Sequence, residues 1–408
     1  MGLLKMKIVM FTDAYWPRVN GVTVSVETFS RALIKAGHQV VIICSFYPES
    51  QAIERMSNPV MDRRDNKDDP VVIRVPSYPL PISKEDRLAK FHKWFWVSKQ
   101  LNAFEPDVIH VQTEFIIGEF GFYYAKLHNL PTVYTFHTLW EDYIANYIPY
   151  APEFLLRFIA RRVVKHMARR ADAVIAPTEQ IIEVLRRYKV KKPAYLLPTG
   201  IDPTLFTHTP EETAEFRQSF ESKYPALRGK RILLFAGRVG KEKNISFLLA
   251  CAADIMDRAP DTALVIAGNG PDLSGFMEEA ESLGIAERCV FTGYLDRKDL
   301  ALLYAAAEVF TFPSLTETQG LVTVEAMLSG TPVVAIGAMG TLTVMGGDNG
   351  GFMVRNDRRE FTDRVIDLLE NRDLLELKSA EAMEHGHRWT IDRMADKLEA
   401  IYRETLER

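Results

Sequence analysis

From one end of the chain to the other, short runs rich in valine and isoleucine alternate with longer amphipathic stretches. Strands whose apolar character is continuous are buried on both faces, and a parallel sheet covered by helices achieves that. The alternation therefore predicts an α/β protein built from βαβ units. One series of strands is expected at residues 7–11, 40–45, 71–75, 107–111, 132–136, 173–176 and 195–197. A second is expected at 232–236, 263–267, 290–292, 309–313, 333–336 and 352–354. Because the second series restarts the grammar of the first, the expectation is two Rossmann-like, doubly wound parallel-sheet domains facing across a cleft. A length of 408 residues suits two such cores better than one. The break falls at Pro198-Thr199-Gly200-Ile201-Asp202-Pro203, where two prolines and a glycine interrupt the pattern. The domains are expected over 1–202 and 203–388. A last helix, about 391–406 within 389–408, follows His385-Gly386-His387 and is expected to pack back on the first domain. The polar stretch 58–70 reads as a surface loop.

Composition excludes several classes. Hydrophobic residues make up 47% and charged residues 25%, with a net charge of −4, so nothing global favours nucleic acid. There is no apolar run of about 18 residues to cross a membrane. Residues 1–7 lead straight into the first strand without the features of a signal peptide. A cytoplasmic protein is expected, free to touch a membrane surface. Cys44, Cys251 and Cys289 are far apart and have no histidine cluster near them, which suits reduced thiols rather than a disulfide or zinc site, with Cys44 and Cys289 buried in apolar runs. No strand is followed by a D-x-D pair, and no metal site is expected.

Three segments carry chemistry. Phe235-Ala236-Gly237-Arg238-Val239-Gly240-Lys241-Glu242-Lys243-Asn244 ends a strand and opens a helix. Glycines allow close backbone approach, a helix start favours anions, and Arg238 and Lys243 add two cations suited to phosphate oxygens. Taken alone, the segment reads as a solvated basic turn. The second runs from Pro313 through Glu317 and Gly320 to Met327. There Glu317 can accept sugar hydroxyls from the loop, and Glu325 lies within reach of a ribose diol. The amides of Gly320, Leu321 and Val322 stay free for a diphosphate. Otherwise Glu317 is a charge at a helix start and Glu325 a surface acid, although its place between Val324 and Ala326 calls for a partner. The third comprises Asp13 to Val22 after the first strand and Phe136-His137-Thr138 after the fifth. Loops at the carboxyl ends of parallel strands are where ligands gather.

Together these segments resemble the retaining glycosyltransferases of the GT-B fold, in the large family of bacterial lipid and polysaccharide glycosyltransferases (family four, group 1). The resemblance covers essentially the whole chain. Its most specific element is the E-x7-E motif of Glu317 and Glu325; Gly237-Arg238 with Lys243, Gly268-Asn269-Gly270-Pro271 and the Gly21 loop agree in order and spacing. The resemblance implies that Arg238 and Lys243 hold a donor diphosphate, Glu325 the ribose, and Glu317 the donor sugar. It places Gly21 near the phosphates and His137 at the reacting sugar. His137, Glu317, Arg238 and Lys243 thus form the candidate catalytic set. Gly21, Gly320, Leu321, Val322 and Glu325 join Arg238 and Lys243 in donor binding. The donor is a UDP- or GDP-linked sugar, with no further cofactor. Same-face attack, with a donor phosphate oxygen taking the acceptor's proton, would give an α-linked product. Two departures concern Thr199, where asparagine is commoner, and Gly337-Ala338-Met339-Gly340-Thr341-Leu342-Thr343, which replaces a double-glycine and proline pattern.

Residues 155–172 carry Arg157, Arg161, Arg162, Lys165, His166, Arg169 and Arg170, with no acid between Arg157 and Arg170. As a helix they align Leu156, Ala160, Val163, Val164 and Met167 in one stripe and leave Phe158 and Ile159 among the cations. That pattern suits an anionic lipid surface, where Arg157, Phe158, Arg161, Arg162, Lys165, Arg169 and Arg170 would bind. A second basic, aromatic stretch, 84–100, aligns Phe91, Trp94 and Phe95 and sets Trp96 among lysines. The alternative is two ordinary packing helices with solvated faces. Phe11-Thr12-Asp13-Ala14-Tyr15 and His137-Thr138-Leu139-Trp140-Glu141-Asp142-Tyr143 look most like the diacylglycerol glucosyltransferase branch. The resemblance thus implies a lipid acceptor and peripheral association with the inner face of the cell membrane. Alternatives are a phosphoinositide, polysaccharide or soluble acceptor on the same fold. A different class, an NAD-dependent oxidoreductase or sugar-nucleotide epimerase, has only an incomplete fingerprint, since Leu273 stands where the third glycine belongs. A purely membrane-binding module would need neither Glu317 nor Arg238.

Overall fold

The computed structural model describes residues 5–18, 20–47, 69–80, 83–137, 153–317 and 319–408. The side chains of residues 80, 83–86, 91, 153, 154, 156 and 157 lie outside that description, as do most of the 58–70 loop and all of 138–143. The chain forms two compact units, Met1–Gly200 with Ile391–Arg408, and Ile201–Thr390.

In the first unit, strands β1 (Lys7–Thr12), β2 (Gln39–Ser45), β3 (Val71–Val75), β6 (Val108–Val111), β7 (Thr132–Thr135), β8 (Ala173–Ala176) and β9 (Ala194–Leu196) build one parallel sheet in the order β3-β2-β1-β6-β7-β8-β9. β1, β6, β7 and β8 are buried on both faces, which is why they read as continuous apolar runs. Helices α1 (Gly21–Lys35), α2 (Trp94–Phe104), α3 (Ile116–His128), α4 (Glu153–Arg170) and α5 (Glu179–Arg187) cover the sheet. The C-terminal helix Ile391–Leu406 lies on α1, where Met394, Leu398, Ile401 and Tyr402 join a core with Ile8, Met10, Val26, Phe29 and Leu33.

Residues 84–100 are not one helix. Strands β4 (Ser77–Leu80) and β5 (Ser83–Ala89) form an antiparallel hairpin, and α2 starts only at Trp94. The expected stripe fails with it: Trp94 packs on Phe120, Tyr123 and Tyr124, whereas Phe95 is 84% exposed. Trp96 also faces outward.

In the second unit, β10 (Arg231–Ala236), β11 (Thr262–Ala267), β12 (Cys289–Gly293), β13 (Val309–Phe312), β14 (Val333–Ile336) and β15 (Gly351–Val354) form a parallel sheet in the order β12-β11-β10-β13-β14-β15. Its helices are α6 (Pro210–Lys223), α7 (Ile245–Arg258), α8 (Leu273–Ser282), α9 (Arg297–Ala306), α10 (Leu321–Leu328), α11 (Gly340–Met345), α12 (Arg358–Glu370) and α13 (Arg372–Gly386). In each sheet the winding reverses at one place, between β1 and β6 and between β10 and β13. Loops leaving the carboxyl ends of those strands diverge to opposite faces and open a crevice. Both crevices carry residues singled out from the sequence.

Candidate active site

At the reversal point of the second unit, the loop after β10 and the loop after β13 are stitched together. The Lys243 ammonium lies 2.8 Å from the Glu317 carboxylate, with the two side chains only 16% and 20% exposed. The Thr316 hydroxyl donates to the Glu242 carbonyl at 3.0 Å, and the Asn244 amide to the Pro313 carbonyl at 3.3 Å. Lys243 closes a short 3-10 turn, Lys241–Lys243, ahead of α7. Arg238 behaves differently. Its side chain is 66% exposed and stands 3.7 Å from Glu242. The two cations are therefore unequal: Arg238 is a solvated loop residue, whereas Lys243 is a structural partner of Glu317.

Gly320 precedes α10 with φ of 70°, and a β-carbon there would press on Val344 and the Gly340 backbone at 3.2–3.3 Å. Only glycine suits both demands. Among the described residues, no hydrogen bond takes up the amides of Gly320, Leu321 or Val322, leaving three N–H groups at a helix start. One turn further, Glu325 accepts a hydrogen bond of 3.1 Å from the hydroxyl of Tyr304, which is fully buried on α9. Burial pushes the Glu325 carboxyl above its usual range, against the opposing influence of the Arg297 charge and the tyrosine hydrogen bond. This is the partner that the position of Glu325 calls for. The Gly268-Asn269-Gly270 segment has a packing role: β-carbons at Gly268 and Gly270 would meet the carbonyls of Gly237 and Val239 at 1.8 and 2.0 Å. It shapes the Arg238 loop from behind.

At the reversal point of the first unit, Asp13 spans the loops after β1 and β6. Its carboxylate accepts from the Thr113 hydroxyl at 2.6 Å and from the Ile117 amide, in the first turn of α3, at 3.0 Å. Burial raises its pKa despite these hydrogen bonds. Gly21 opens α1, whose cap is the Asn20 side chain accepting from the Thr23 amide at 2.9 Å. A β-carbon at Gly21 would meet nothing within 4 Å, so packing in this unit does not demand glycine there. His137 follows β7, with Nε2 2.7 Å from the side-chain amide oxygen of Gln112. Burial lowers its pKa to about 4, so its imidazole is neutral at physiological pH.

On α4, Ala160, Val164, Met167 and Ala168 face the core, while Arg161, Arg162, Arg169, Phe158 and Ile159 are exposed. Val163, expected in the buried stripe, is 39% exposed, because the actual stripe turns through Ala168 instead. Arg170 also departs from expectation: it pairs with Glu119 at 2.5 Å and lies over the Phe122 ring, fastening α4 to α3. Lys165 has its pKa lowered, first by desolvation and then by Arg169, Arg161, Lys189 and Arg162, the mark of a crowded positive field. Arg157 contributes backbone to the helix, but its side chain lies outside the described residues.

Sequence reasoning missed four contributors. His110 lies within β6 and Gln112 directly after it, polar residues at the carboxyl end of an apolar strand, a signal that the strand-end rule could have caught. Tyr304 and Tyr402 carried none: each completes a partner 21 or 292 residues away.

Two GT-B-type domains, with a Lys–Glu pair and a free helix start at one reversal point, define a class, and the comparisons with known proteins agree. Residues 19–205 match the Glycosyltransferase Family 4 model and residues 216–385 the Glycosyl transferases group 1 model. The chain is 36% identical over 335 residues to an alpha-monoglucosyldiacylglycerol synthase of Streptococcus pneumoniae, covering 81% of this chain and 71% of that one. It is 27% identical over 413 residues to the synthase of the same name from Acholeplasma laidlawii, covering 99% and 98%. The crystal structure of Anabaena Alr3699/HepE in complex with UDP shares the fold, with a TM-score of 0.74 at 17% identity over 98% of this chain and 100% of that one. The chain belongs to the group 1 glycosyltransferases of the GT-B fold, close to the bacterial diacylglycerol glucosyltransferases. It is an enzyme of sugar transfer, which sets the oxidoreductase and epimerase alternative aside.

Proposed function

We propose that this enzyme transfers a glucosyl residue from a nucleotide-diphosphate glucose to diacylglycerol at the inner face of the cell membrane, giving an α-linked glycolipid. The observation that carries this reading is the 36% identity over 335 residues with a synthase of that product class. The second domain holds the donor. Glu325, braced by Tyr304, takes the ribose diol; the Gly320, Leu321 and Val322 amides and Arg238 take the diphosphate. Lys243 shares its charge between the diphosphate and Glu317, which faces the sugar. The bond from the anomeric carbon to the diphosphate oxygen breaks as the acceptor oxygen bonds on the same face. The acceptor's proton passes to a departing phosphate oxygen. Fixed cations stabilise the charge that develops on the leaving group, so no metal is needed. Gly21 admits the phosphates without a side chain in the way, and His137 meets the sugar.

Membrane contact belongs to the first domain. Arg161, Arg162, Lys165 and Arg169 surround the exposed Phe158 and Ile159, a face suited to anionic lipid. Phe95 and Trp96 on α2 add exposed aromatic surface. Arg170 is omitted from this set because Glu119 holds it.

The test supplies purified enzyme with UDP- or GDP-glucose and vesicles containing diacylglycerol. The product is weighed by mass spectrometry, and its anomeric configuration is read from the proton coupling. A glucosylated diacylglycerol with the α configuration, formed at an unchanged rate in chelator, is expected. Transfer only to some other acceptor, or a β-linked product, overturns the proposal. Vesicle co-sedimentation tests the membrane face. Changing Arg161, Arg162 and Arg169 to Glu should abolish salt-sensitive binding to anionic vesicles, at about 1 kcal/mol per cation, and leave nucleotide binding intact. Equal sedimentation of variant and wild type returns α4 to a solvated face.

A further inference from the structure

Beneath His137 runs a buried chain of polar groups that the reaction scheme above does not use. The side-chain amide oxygen of Gln112 faces His137 Nε2 at 2.7 Å, and the Gln112 amide nitrogen faces His110 Nδ1 at 3.2 Å. His110 Nδ1 also lies 2.6 Å from the Tyr402 hydroxyl, and its Nε2 lies 2.7 Å from the Thr135 hydroxyl. His110, Gln112, Thr135 and Tyr402 are all at least nine-tenths buried. The chain runs beside a small cavity of about 10 Å³, room for about one water, and the burial of its own side chains shields these groups from bulk solvent.

Donor and acceptor roles follow from chemistry. An amide nitrogen only donates, so the His110 Nδ1 it faces carries a lone pair. The Tyr402 hydroxyl donates to the same atom, and His110 Nε2–H donates to Thr135. An amide oxygen only accepts, so His137 Nε2 must carry its proton. His137 is neutral, which leaves its Nδ1 bare and able to accept a hydrogen bond. Turning the amide over would set its NH2 against His137 and its oxygen against the His110 lone pair. Tyr402 opposes that turn, because among the described residues its hydroxyl proton finds its acceptor in the His110 Nδ1 lone pair; the Thr135 hydroxyl, able to donate or accept, fits either form.

We propose that Gln112, His110 and Tyr402 are positioning residues that hold His137 in one neutral tautomer, with the proton on Nε2 and a lone pair on Nδ1. The C-terminal helix thereby contributes to the sugar-facing site through a side chain, Tyr402, besides packing on α1. The use of that lone pair, accepting a sugar hydroxyl, rests on the glycosyl-transfer reading; the tautomer itself does not. Among the described residues, the titratable groups in the chain beneath His137 are His110 and, beyond it, Tyr402.

The test reads imidazole nitrogen shifts in full-length enzyme labelled with 15N-histidine, with His137 assigned by difference against His137→Asn. Wild type should show His137 as the Nε2–H form with no titration above about pH 5. In Gln112→Leu the two tautomers should mix, and kcat should fall about tenfold while the donor KM changes less than threefold. In Gln112→Glu the new carboxylate favours the imidazolium, so the His137 titration should move up by at least about one unit and the acid limb of the rate profile with it. Tyr402→Phe keeps the ring packing and should give a smaller shift of the same kind as Gln112→Leu. Unchanged His137 nitrogens in folded Gln112→Leu and Gln112→Glu overturn the chain. Nitrogens that respond while transfer stays at the wild-type rate uphold the chain and remove His137 from the reaction.

Discussion

The two domains wind in the same way and place a carboxylate across the same gap, yet they treat it in opposite fashion. In the first, Asp13 bridges the loops after β1 and β6 from full burial, with its pKa raised and its oxygens on Thr113 and the start of α3. Nearby His110 and His137 are held neutral by burial, at about 3 and about 4. In the second, Glu317 bridges the corresponding loops as an ion pair with Lys243, with Arg238 exposed on the same turn. One reversal point suppresses charge and the other collects it. A fold fixes where ligands gather; the residues on its loops decide whether the ligand is neutral or anionic. The proposed placing of a neutral sugar and acceptor at the first and a diphosphate at the second follows this division.

The largest expected effect tests the charged side. Lys243→Ala should lower kcat/KM by about 10³-fold, or roughly 4 kcal/mol, because charge develops on the departing diphosphate. It should also lose about 1–3 kcal/mol of folding stability, since Glu317 is left mostly buried without a partner. Adding Glu317→Gln should restore much of that stability and none of the activity. Arg238→Ala should lose about 10²-fold in transfer with stability within about 0.5 kcal/mol of wild type. Steady-state kinetics and urea unfolding measure both quantities. Equal stability losses in the two single variants would erase the distinction drawn between the cations.

The neutral side is tested through pH. His110 and His137 titrate well below the ordinary 6.5 when folded, so the unfolded chain takes up protons that the native state refuses. Their contribution is intact above about pH 6.5 and is lost as pH falls, by about 2 kcal/mol for each histidine between 6.5 and 5. Urea unfolding of wild type should show this slope, and His137→Asn should remove about half of it. A variant curve parallel to wild type means His137 is not held neutral by the fold.

A smaller effect separates Glu325 from its brace. Glu325→Ala should weaken nucleoside diphosphate binding in calorimetry by about 10–100-fold, as a carboxylate with two diol hydrogen bonds is lost. Tyr304→Phe removes a single hydrogen bond and should weaken it by about 5–10-fold, close to 1 kcal/mol. Full affinity in Tyr304→Phe would leave Glu325 positioned by the helix alone.

The sheets were legible because buried parallel strands announce themselves locally: each strand of the two large sheets begins and ends within one residue of the apolar run expected for it. The β4–β5 hairpin was not, since Lys84, Glu85, Asp86 and Arg87 give a strand no apolar alternation and merge with the aromatic run of α2. In the site, Glu317, Lys243 and Glu325 were visible as types at spacings, but their state was not. That Lys243 is mostly buried on Glu317, that Arg170 is tied to Glu119, and that Tyr304 and Tyr402 complete distant partners are consequences of packing between separate elements. Periodicity carries no information about such pairs.

The last contrast concerns backbone conformation. Among the described residues of the first domain, the non-glycine residues with positive φ are Glu105, Asn129 and Lys189, each at the C-terminal end of a helix, where the left-handed conformation is ordinary. In the second, Met339 has φ of 47° and ψ of −125°, outside the left-handed helical region and in one that glycine readily occupies. It is the first central residue of a turn closed by the Thr341 amide on the Ala338 carbonyl at 3.1 Å. The next residue, Gly340, donates its amide to the Glu317 carbonyl at 2.8 Å, so the strained turn props the loop that carries the site acid. This is the segment where the family more often has paired glycines. Met339→Gly should therefore relieve strain and raise stability by about 1 kcal/mol, after the added entropy of an unfolded glycine is subtracted. Because the Gly340 to Glu317 bond is a backbone one, donor affinity should stay within about twofold of wild type. Thermal or urea unfolding reads the first effect and calorimetry the second. A loss of stability in Met339→Gly would mean that the methionine side chain contributes more through packing than its backbone conformation takes away.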